Sequence, residues 1–193
     1  AGAGFGVFQS CNARFINNTS VNNNLKSDCW ADEFHLIGTG EGPSDSILVR
    51  NNIFVSKKTD SPLFSVTYSA KYFPRDIRFD HNLFYEPAGD DSTNLFEVTF
   101  HSAIGDKHWV LNFPQFQNFS FDYDTIHFEP HWGTGSMVAK PVFYGWTDLK
   151  FNLDFGSPAI DAGCNDLAPE DDLAGNGRPY GDGVDMGAFE YTG

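Results

Sequence analysis

The sequence contains one short pattern three times, at intervals that suit the coils of a β-solenoid. Its copies are residues 13–21, 47–55 and 77–85, which align without gaps. Each copy has a short apolar segment, a polar corner and a second apolar segment, and the corners carry Asn18, Asn52 and Asn82. A strand-forming repeat of this length is the signature of a solenoid whose repeats stack on one another. The sequence therefore predicts about three to four coils over residues 5–101, with the asparagines stacked at one corner because asparagine tolerates a tight left-handed bend.

A further strand is predicted upstream of each corner. These strands cover residues 5–9, 33–37, 63–69 and 95–101. Side chains alternate between the two faces of a strand, so Phe64, Val66 and Tyr68 are predicted to point into the core. The opposite face would carry Glu33, His35, Ser65, Thr67, Ser69, Glu97, Thr99 and His101. Because solenoid strands stack in register, we expect these polar side chains to form one surface several coils long, the natural place for a ligand.

The composition favours one all-β domain with little helix. The chain has 20 Phe and 7 Tyr against only 2 Met, and aromatic rings pack well on sheets. We expect one domain over residues 1–193, with regular coils to about residue 105 and a final turn and C-terminal cap over about 106–193.

The charge restricts the partners. There are 26 acidic and 12 basic residues, a net charge of −14, which argues against nucleic acid and anionic membrane as partners. An anionic polysaccharide is disfavoured as well, unless a local cationic patch or bound Ca²⁺ offsets the charge. No apolar run reaches the roughly 18 residues of a membrane-spanning helix, so membrane insertion is not expected.

Three spaced motifs occupy the C-terminal region. Residues 156–163 read Gly-Ser-Pro-Ala-Ile-Asp-Ala-Gly, residues 172–179 read Asp-Leu-Ala-Gly-Asn-Gly-Arg-Pro, and residues 184–191 read Val-Asp-Met-Gly-Ala-Phe-Glu-Tyr. Together they resemble the end of secreted right-handed parallel β-helix proteins, the pectate-lyase-like solenoids with a choice-of-anchor type C-terminal cap. The resemblance covers about residues 95–193. It implies an all-β right-handed parallel β-helix with an irregular C-terminal cap, an extracellular or cell-surface location, and aromatic residues of 106–155 that cover the open end of the core.

Many proteins that the chain resembles are polysaccharide lyases or glycoside hydrolases, so polysaccharide is the first partner to consider. A lyase abstracts the proton beside a uronate carboxylate, which needs a base and a positive charge that stabilises the enolate. Lys71, His35 and His101 are the candidate bases. Arg75 is the candidate compensating charge.

A hydrolase would instead use two carboxylates about 5 to 10 Å apart, and Glu33 and Glu97 are the strand-borne pair on the predicted face. The intervening coils are expected to hold them too far apart. The candidate substrate-binding residues are Glu33, Thr67, Ser69, Glu97 and Thr99. The alternative for all of these side chains is a solvated face without a ligand.

Acidic residues crowd the C-terminal region. They are Asp161, Asp166, Glu170, Asp171, Asp172, Asp182 and Asp185. Oxygen ligands on loops suit Ca²⁺, but the spacing of an EF-hand is absent, so no metal ligand is assigned and calcium stays an alternative. We expect Arg178 to hold the terminal loop through Asp185 or Asp161, and Asp172 to share this structural role.

The first residues predict a second kind of partner. Residues 5–8 already read as an internal strand, and no amphipathic helix precedes them. We expect either preceding coils from a longer precursor or another copy of the chain to cover this end. The second case gives an alternative function, a non-catalytic structural or adhesive surface protein that stacks end to end.

The three cysteines, Cys11, Cys29 and Cys164, lack the spacing of a zinc site. A disulfide between Cys11 and Cys29 and a set of free thiols are both compatible with the sequence.

Overall fold

The protein is all-β, with parallel sheets and almost no helix, in the residues that the computed structural model describes. These are residues 3–23, 33–40, 42–57, 61–87, 90, 92–146 and 150–193. Within these ranges the one helix is α1, Phe113–Gln117. No helix in the same ranges has the length and apolar character needed to cross a membrane.

Three parallel sheets form the body of the molecule, and the chain passes through them in turn. Sheet A contains β1 (Phe5–Phe8), β4 (Phe34–Gly38), β7 (Phe64–Ser69) and β10 (Phe96–His101). Sheet B contains β2 (Arg14–Ile16), β5 (Ile47–Arg50) and β8 (Ile77–Asp80). Sheet C contains β3 (Thr19–Val21), β6 (Ile53–Val55), β9 (Leu83–Tyr85) and β14 (Met137–Val138). We call one passage through the three sheets a coil, so coil 1 is β1–β3. Coil 4 runs from β10 to β14 and contributes strands to sheets A and C only.

Aromatic side chains in register fill the space between the sheets. Phe5 is aligned with Phe34, Phe34 with Phe64, and Phe64 with Phe96 along sheet A. The rings of Phe34 and Phe64 are stacked with centroids 4.6 Å apart, and both side chains are fully buried. The predicted inward positions Phe64, Val66 and Tyr68 are confirmed, since each is at most 1 % exposed.

The predicted asparagine stack is present at the corner between sheets B and C. The Asn52 side-chain oxygen accepts the backbone N–H of Asn18 at 2.9 Å, and the Asn82 oxygen accepts that of Asn52 at 3.0 Å. In coil 4 the hydroxyl of Ser136 has the same role and accepts the backbone N–H of Asn82 at 2.9 Å. Each side chain thus satisfies a backbone donor of the preceding coil, which fixes the register of the stack.

The left-handed bend at this corner falls one residue earlier than predicted. Asn17, Asn51 and His81 have φ angles of 55°, 56° and 49°. The stacked asparagines are therefore free to point along the stack, because their neighbours make the turn.

Coil 4 carries an insertion between β10 and β14 that closes this end of the core. It contains β11 (Lys107–Leu111), which pairs antiparallel with β10, then α1, then the hairpin of β12 (Phe121–Tyr123) and β13 (Ile126–Phe128). A capping box of Asn112 and Gln115 starts α1. The helix places Phe116 on Phe96, ring centroids 4.1 Å apart, and against Trp132 at 5.3 Å.

The C-terminal segment covers a side of the coils. The hairpin of β15 (Phe143–Gly145) and β16 (Lys150–Leu153) and the irregular chain after it pack on the outer face of sheet C. There Ile53, Val55 and Leu83 form a second apolar cluster with Ala159 and Met186. Phe143, Trp146 and Phe151 belong to this second cluster, which we call the side cluster. The expectation that the aromatic residues of 106–155 cover the end of the core therefore holds only for those of the insertion between β10 and β14.

Carboxylates supply the hydrogen bonds that regular structure would otherwise provide in this segment. Asp172 accepts the backbone N–H groups of Ala174, Asn176 and Glu190 at 2.8 to 2.9 Å. The Asp185 carboxylate accepts those of Asp161 and Tyr191 at 2.7 and 2.6 Å. Backbone donors outside regular secondary structure need such acceptors wherever they are shielded from water.

Arg178 pairs with a residue that the sequence reasoning missed. Its guanidinium contacts Glu190 at 2.6 Å, whereas it reaches only the backbone carbonyl of Asp185, at 3.3 Å. The expected pairing with the Asp185 or Asp161 carboxylate is wrong, because those carboxylates are taken up by backbone N–H groups of the same segment.

Cys11 and Cys164 are free thiols. Cys29 lies outside the described residues.

Candidate functional site

Polar side chains form a surface on the outer face of sheet A, as the alternation predicted. Along the sheet, Thr67 is aligned with Thr99, and Ser69 with His101. The added strand β11 extends the surface, because His108 is aligned with Thr99. We call Thr67, Glu97, Thr99, His101 and His108 the polar face.

Exposure on this sheet is concentrated on the β10–β11 hairpin. His35 and Ser65 are 7 % and 1 % exposed, and the Ser69 hydroxyl oxygen is buried, whereas His101 and His108 are exposed. The predicted role of Ser69 in substrate binding is therefore wrong. The accessible part of the surface consists of the partly buried Thr67 on coil 3 and the hairpin of coil 4.

His35 is a buried, neutral imidazole. Its Nε2 lies 3.1 Å from the hydroxyl of Thr67, and burial lowers the pKa of His35 to about 4. A histidine with this pKa is uncharged at neutral pH and cannot donate a proton as an imidazolium there.

Two histidine–carboxylate pairs stand at the exposed end of the polar face. His108 Nε2 lies 3.4 Å from Glu97 Oε2, and His101 Nδ1 lies 2.9 Å from Asp106 Oδ2. The hydrogen bond from His101 lowers the pKa of Asp106. An imidazole held by a carboxylate is the arrangement used for proton transfer near neutral pH.

The repeat pattern did not predict His108 and Asp106, because both lie outside the repeat. Five residues that include Gly105 separate β10 from the segment Lys107-His108-Trp109-Val110-Leu111. A short glycine-containing connection between two strand-like segments is a hairpin signal, and a hairpin here places His108 beside Thr99.

Glu33 does not belong to the polar face. It lies just before β4, is fully buried, and accepts hydrogen bonds from the Ser20 hydroxyl at 2.6 Å and the Asn23 backbone at 3.0 Å. Its predicted role in substrate binding is therefore wrong. The reason is that the corner before β4 turns the side chain towards the end of coil 1, which also removes the Glu33 and Glu97 pair as hydrolase carboxylates.

Lys71 lies at the same end of sheet A as His101. The turn after β7 places it there, since the neighbouring Ala70 N–H donates to the His101 carbonyl at 2.9 Å. The Lys71 ammonium is exposed and sits 4.8 Å from the centre of the Tyr72 ring.

Arg75 occupies the next corner, where the chain enters sheet B. Its backbone N–H donates to Asp45 Oδ1 at 2.9 Å, and its side chain is exposed. Among the described residues, no hydrogen bond or ion pair joins Arg75 to the polar face.

Among the acidic C-terminal residues, Asp161, Asp172 and Asp185 accept backbone N–H groups and Asp166 pairs with Arg50. Asp172 accepts the Asn176 side-chain amide in addition to three backbone donors. In the part of the chain that the structure describes, no group of three or more His, Cys, Asp or Glu residues is arranged to hold a metal ion.

No family model, curated protein or solved structure matches this chain.

Proposed function

We propose that this chain is a right-handed parallel β-helix of the secreted, choice-of-anchor type that its C-terminal motifs resemble, and that it binds polysaccharide on the polar face. The observation that carries the proposal is the row of hydroxyl, imidazole and carboxylate groups on coils 3 and 4. An extracellular setting is part of the proposal.

The rigidity and the regular spacing of the strands that carry the polar face support this proposal. The inner side of the same strands is packed with fully buried rings, Phe64, Phe96 and Phe100 among them, so the outer side chains stand on a rigid surface. Neighbouring strands lie about 4.8 Å apart, which repeats hydrogen-bonding groups at a regular interval. A linear ligand rich in hydroxyl groups can form many modest hydrogen bonds along such a surface without reordering the protein.

Cleavage is the further part of this proposal. Lys71 or His101 would act as the base at the exposed end of the face, and Arg75 or an added Ca²⁺ would offset the substrate's charge. His35 is buried and would act only by holding the Thr67 hydroxyl, which lies 3.1 Å from its Nε2.

The second candidate function is end-to-end stacking in a structural or adhesive surface protein. It is favoured by the three parallel sheets, each of which ends at coil 1 within the described residues, in β1, β2 and β3. Phe8 of β1 is 50 % exposed. A head-to-tail contact through strand edges that does not close would give a filament.

The test is a polysaccharide panel of uronate and neutral polymers, with and without Ca²⁺. Binding is followed by calorimetry, lyase products by ultraviolet absorbance, and hydrolysis by reducing ends. His101→Ala should lower affinity, while His127→Ala is the matched control, since both histidines are exposed and paired with an aspartate.

Binding that is insensitive to His101→Ala would contradict the polar face as the site. No binding to any polymer, together with filaments in negative-stain images, would replace the carbohydrate proposal by the stacking one.

A further inference from the structure

A second groove lies on the other side of the molecule, beside the outer face of sheet C. Its cavity has a volume of about 480 Å³. It is lined by Lys57, Tyr85, Pro87, Lys140, Pro141, Val142, Phe143 and Trp146. The volume falls in the range of small-ligand pockets, which are mostly apolar with a few placed polar groups.

Two stacked aromatic side chains form the floor of this groove, and they pack on the side cluster of sheet C. The rings of Phe143 and Trp146 are stacked with centroids 5.4 Å apart and planes 23° apart. Phe143 is 8 % exposed and belongs to the side cluster on sheet C. Trp146 is partly buried and lines the groove, so it offers apolar aromatic surface to a ring.

The rim of the groove is positively charged. Lys57 and Lys140 are both exposed, and the Lys57 ammonium lies 5.8 Å from the centre of the Trp146 ring. The described lining contains no acidic side chain, and Glu86, between two lining residues, is 4 % exposed and lies outside the lining. In a chain of net charge −14, two lysines together at one groove form a local cationic patch.

We propose that this groove binds a small ring that carries a carboxylate. The ring stacks on Trp146, and the carboxylate lies between the ammonium groups of Lys57 and Lys140. Aromatic contact alone would accept any ring, and lysines alone would accept any anion. Their combination selects ligands that have both features, which are found in uronic sugars and in aromatic acids.

This site is independent of the proposed polar face, because it lies on a different sheet and shares no residue with it. Lys57 and Lys140 come from segments more than 80 residues apart, which the stacking of β14 on β9 and of β9 on β6 brings together. Neither was singled out by the sequence patterns.

The experiment is a titration of the full chain with four probes: glucuronate and benzoate, with glucose and benzyl alcohol as neutral counterparts. The indole N–H signal of Trp146 in a ¹H–¹⁵N spectrum, assigned with Trp146→Phe, reports binding at the groove. We expect at least one carboxylate probe to shift this signal, with an affinity roughly tenfold above that of its neutral counterpart and weakening in higher salt.

Lys57→Gln and Lys140→Gln should each lower the affinity roughly threefold to fivefold, as expected for exposed ion pairs. Lys107→Gln is the control, because it removes the same charge from β11 on sheet A. Trp146→Ala removes the reporting signal, so its binding is measured by calorimetry. Affinity should fall roughly tenfold, and the circular dichroism spectrum checks that the variant is folded. His101→Ala on the polar face should leave binding at the groove unchanged.

Binding of glucuronate alone would assign the site to sugars, and binding of benzoate alone to aromatic acids. Equal affinity for charged and neutral probes, an equal effect of Lys107→Gln, or no shift of the Trp146 signal would each overturn the proposal.

Discussion

Arg178 and Glu190 form an ion pair of 2.6 Å whose side chains are 1 % and 0 % exposed. Glu190 also accepts the backbone N–H groups of Asp185 and Tyr180, both at 3.0 Å. Arg178 in turn donates to the Gly187 carbonyl at 3.0 Å. The pair thus joins the last two motifs of the chain at a point that water does not reach.

Arg178→Met should destabilise the protein by about 3 to 5 kcal/mol, because it leaves Glu190 as a buried charge without its partner. The free energy of unfolding in urea measures this. Arg78→Met is the matched control, since Arg78 pairs with Asp76 at 2.9 Å on the surface, where the side chains are 60 % and 52 % exposed. It should cost less than about 1 kcal/mol. If both variants lost the same free energy of unfolding, burial of the Arg178–Glu190 pair would have no effect on its contribution to stability.

Asn52→Ala should destabilise the protein by about 2 to 4 kcal/mol. The Asn52 side chain is fully buried, accepts the Asn18 backbone N–H, and donates to the Phe15 carbonyl at 2.8 Å. Alanine leaves these buried groups without partners.

Asn52→Ser should cost less, because Ser136 performs the acceptor role in coil 4 with its hydroxyl. Chemical denaturation of both variants checks the order. A serine variant as unstable as the alanine variant would mean that the donated hydrogen bonds of Asn52, and not the accepted one, hold the corner.

Gly187→Ala should be more destabilising than Gly175→Ala, although both glycines have left-handed φ angles, 96° and 87°. At Gly175 an added Cβ meets nothing within 4 Å, so only the backbone cost of about 1 to 2 kcal/mol applies. At Gly187 the Cβ would lie 2.7 Å from Ile53 Cδ1 and 2.8 Å from the Thr19 hydroxyl. This crowding adds about 1 to 3 kcal/mol. Equal melting temperatures for the two variants would contradict the close packing of the terminal segment on sheet C.

His35 should make the protein less stable in acid. Burial lowers its pKa from 6.5 to about 4. The unfolded chain therefore binds a proton that the folded chain excludes, so the contribution of neutral His35 is present above pH 6.5 and is lost as the pH falls towards 4. The loss is up to about 3 kcal/mol. His35→Gln should remove this dependence, as measured by urea unfolding between pH 4.5 and 7.5. An unchanged dependence would mean that His35 titrates normally in the folded protein.

Asp185 should make the protein more stable as the pH falls, which is opposite to the effect of His35. Burial, together with the charge of Glu190, raises its pKa from 3.8 to about 6, against hydrogen bonds from Asp161 and Tyr191 that lower it. The stability that its protonation contributes is present below pH 3.8 and is lost as the pH rises through 6. Asp185→Asn should therefore remove a gain in stability on acidification. If this variant instead shows the wild-type pH profile, the carboxylate of Asp185 is ionised throughout the range.

The features that the sequence predicted correctly depend on local patterns. The spacing of Asn18, Asn52 and Asn82 and the alternation around Phe64, Val66 and Tyr68 are properties of short segments. Such patterns survive in the structure because stacked parallel strands repeat the same environment in every coil, so a residue's position within its repeat decides whether it faces the core or the outside.

The remaining features were decided by contacts between distant segments. The burial of Glu33 depends on Ser20 in the coil before it, and the partner of Arg178 depends on how the terminal segment folds over itself. The hairpin that brings His108 beside Thr99 and Glu97 adds a strand that the repeat does not contain. In each case the side chain had several partners of suitable chemistry in the sequence. Only the tertiary structure selects among them, because a buried charge or donor is stabilised by whichever group the packing of the backbone places within hydrogen-bonding distance.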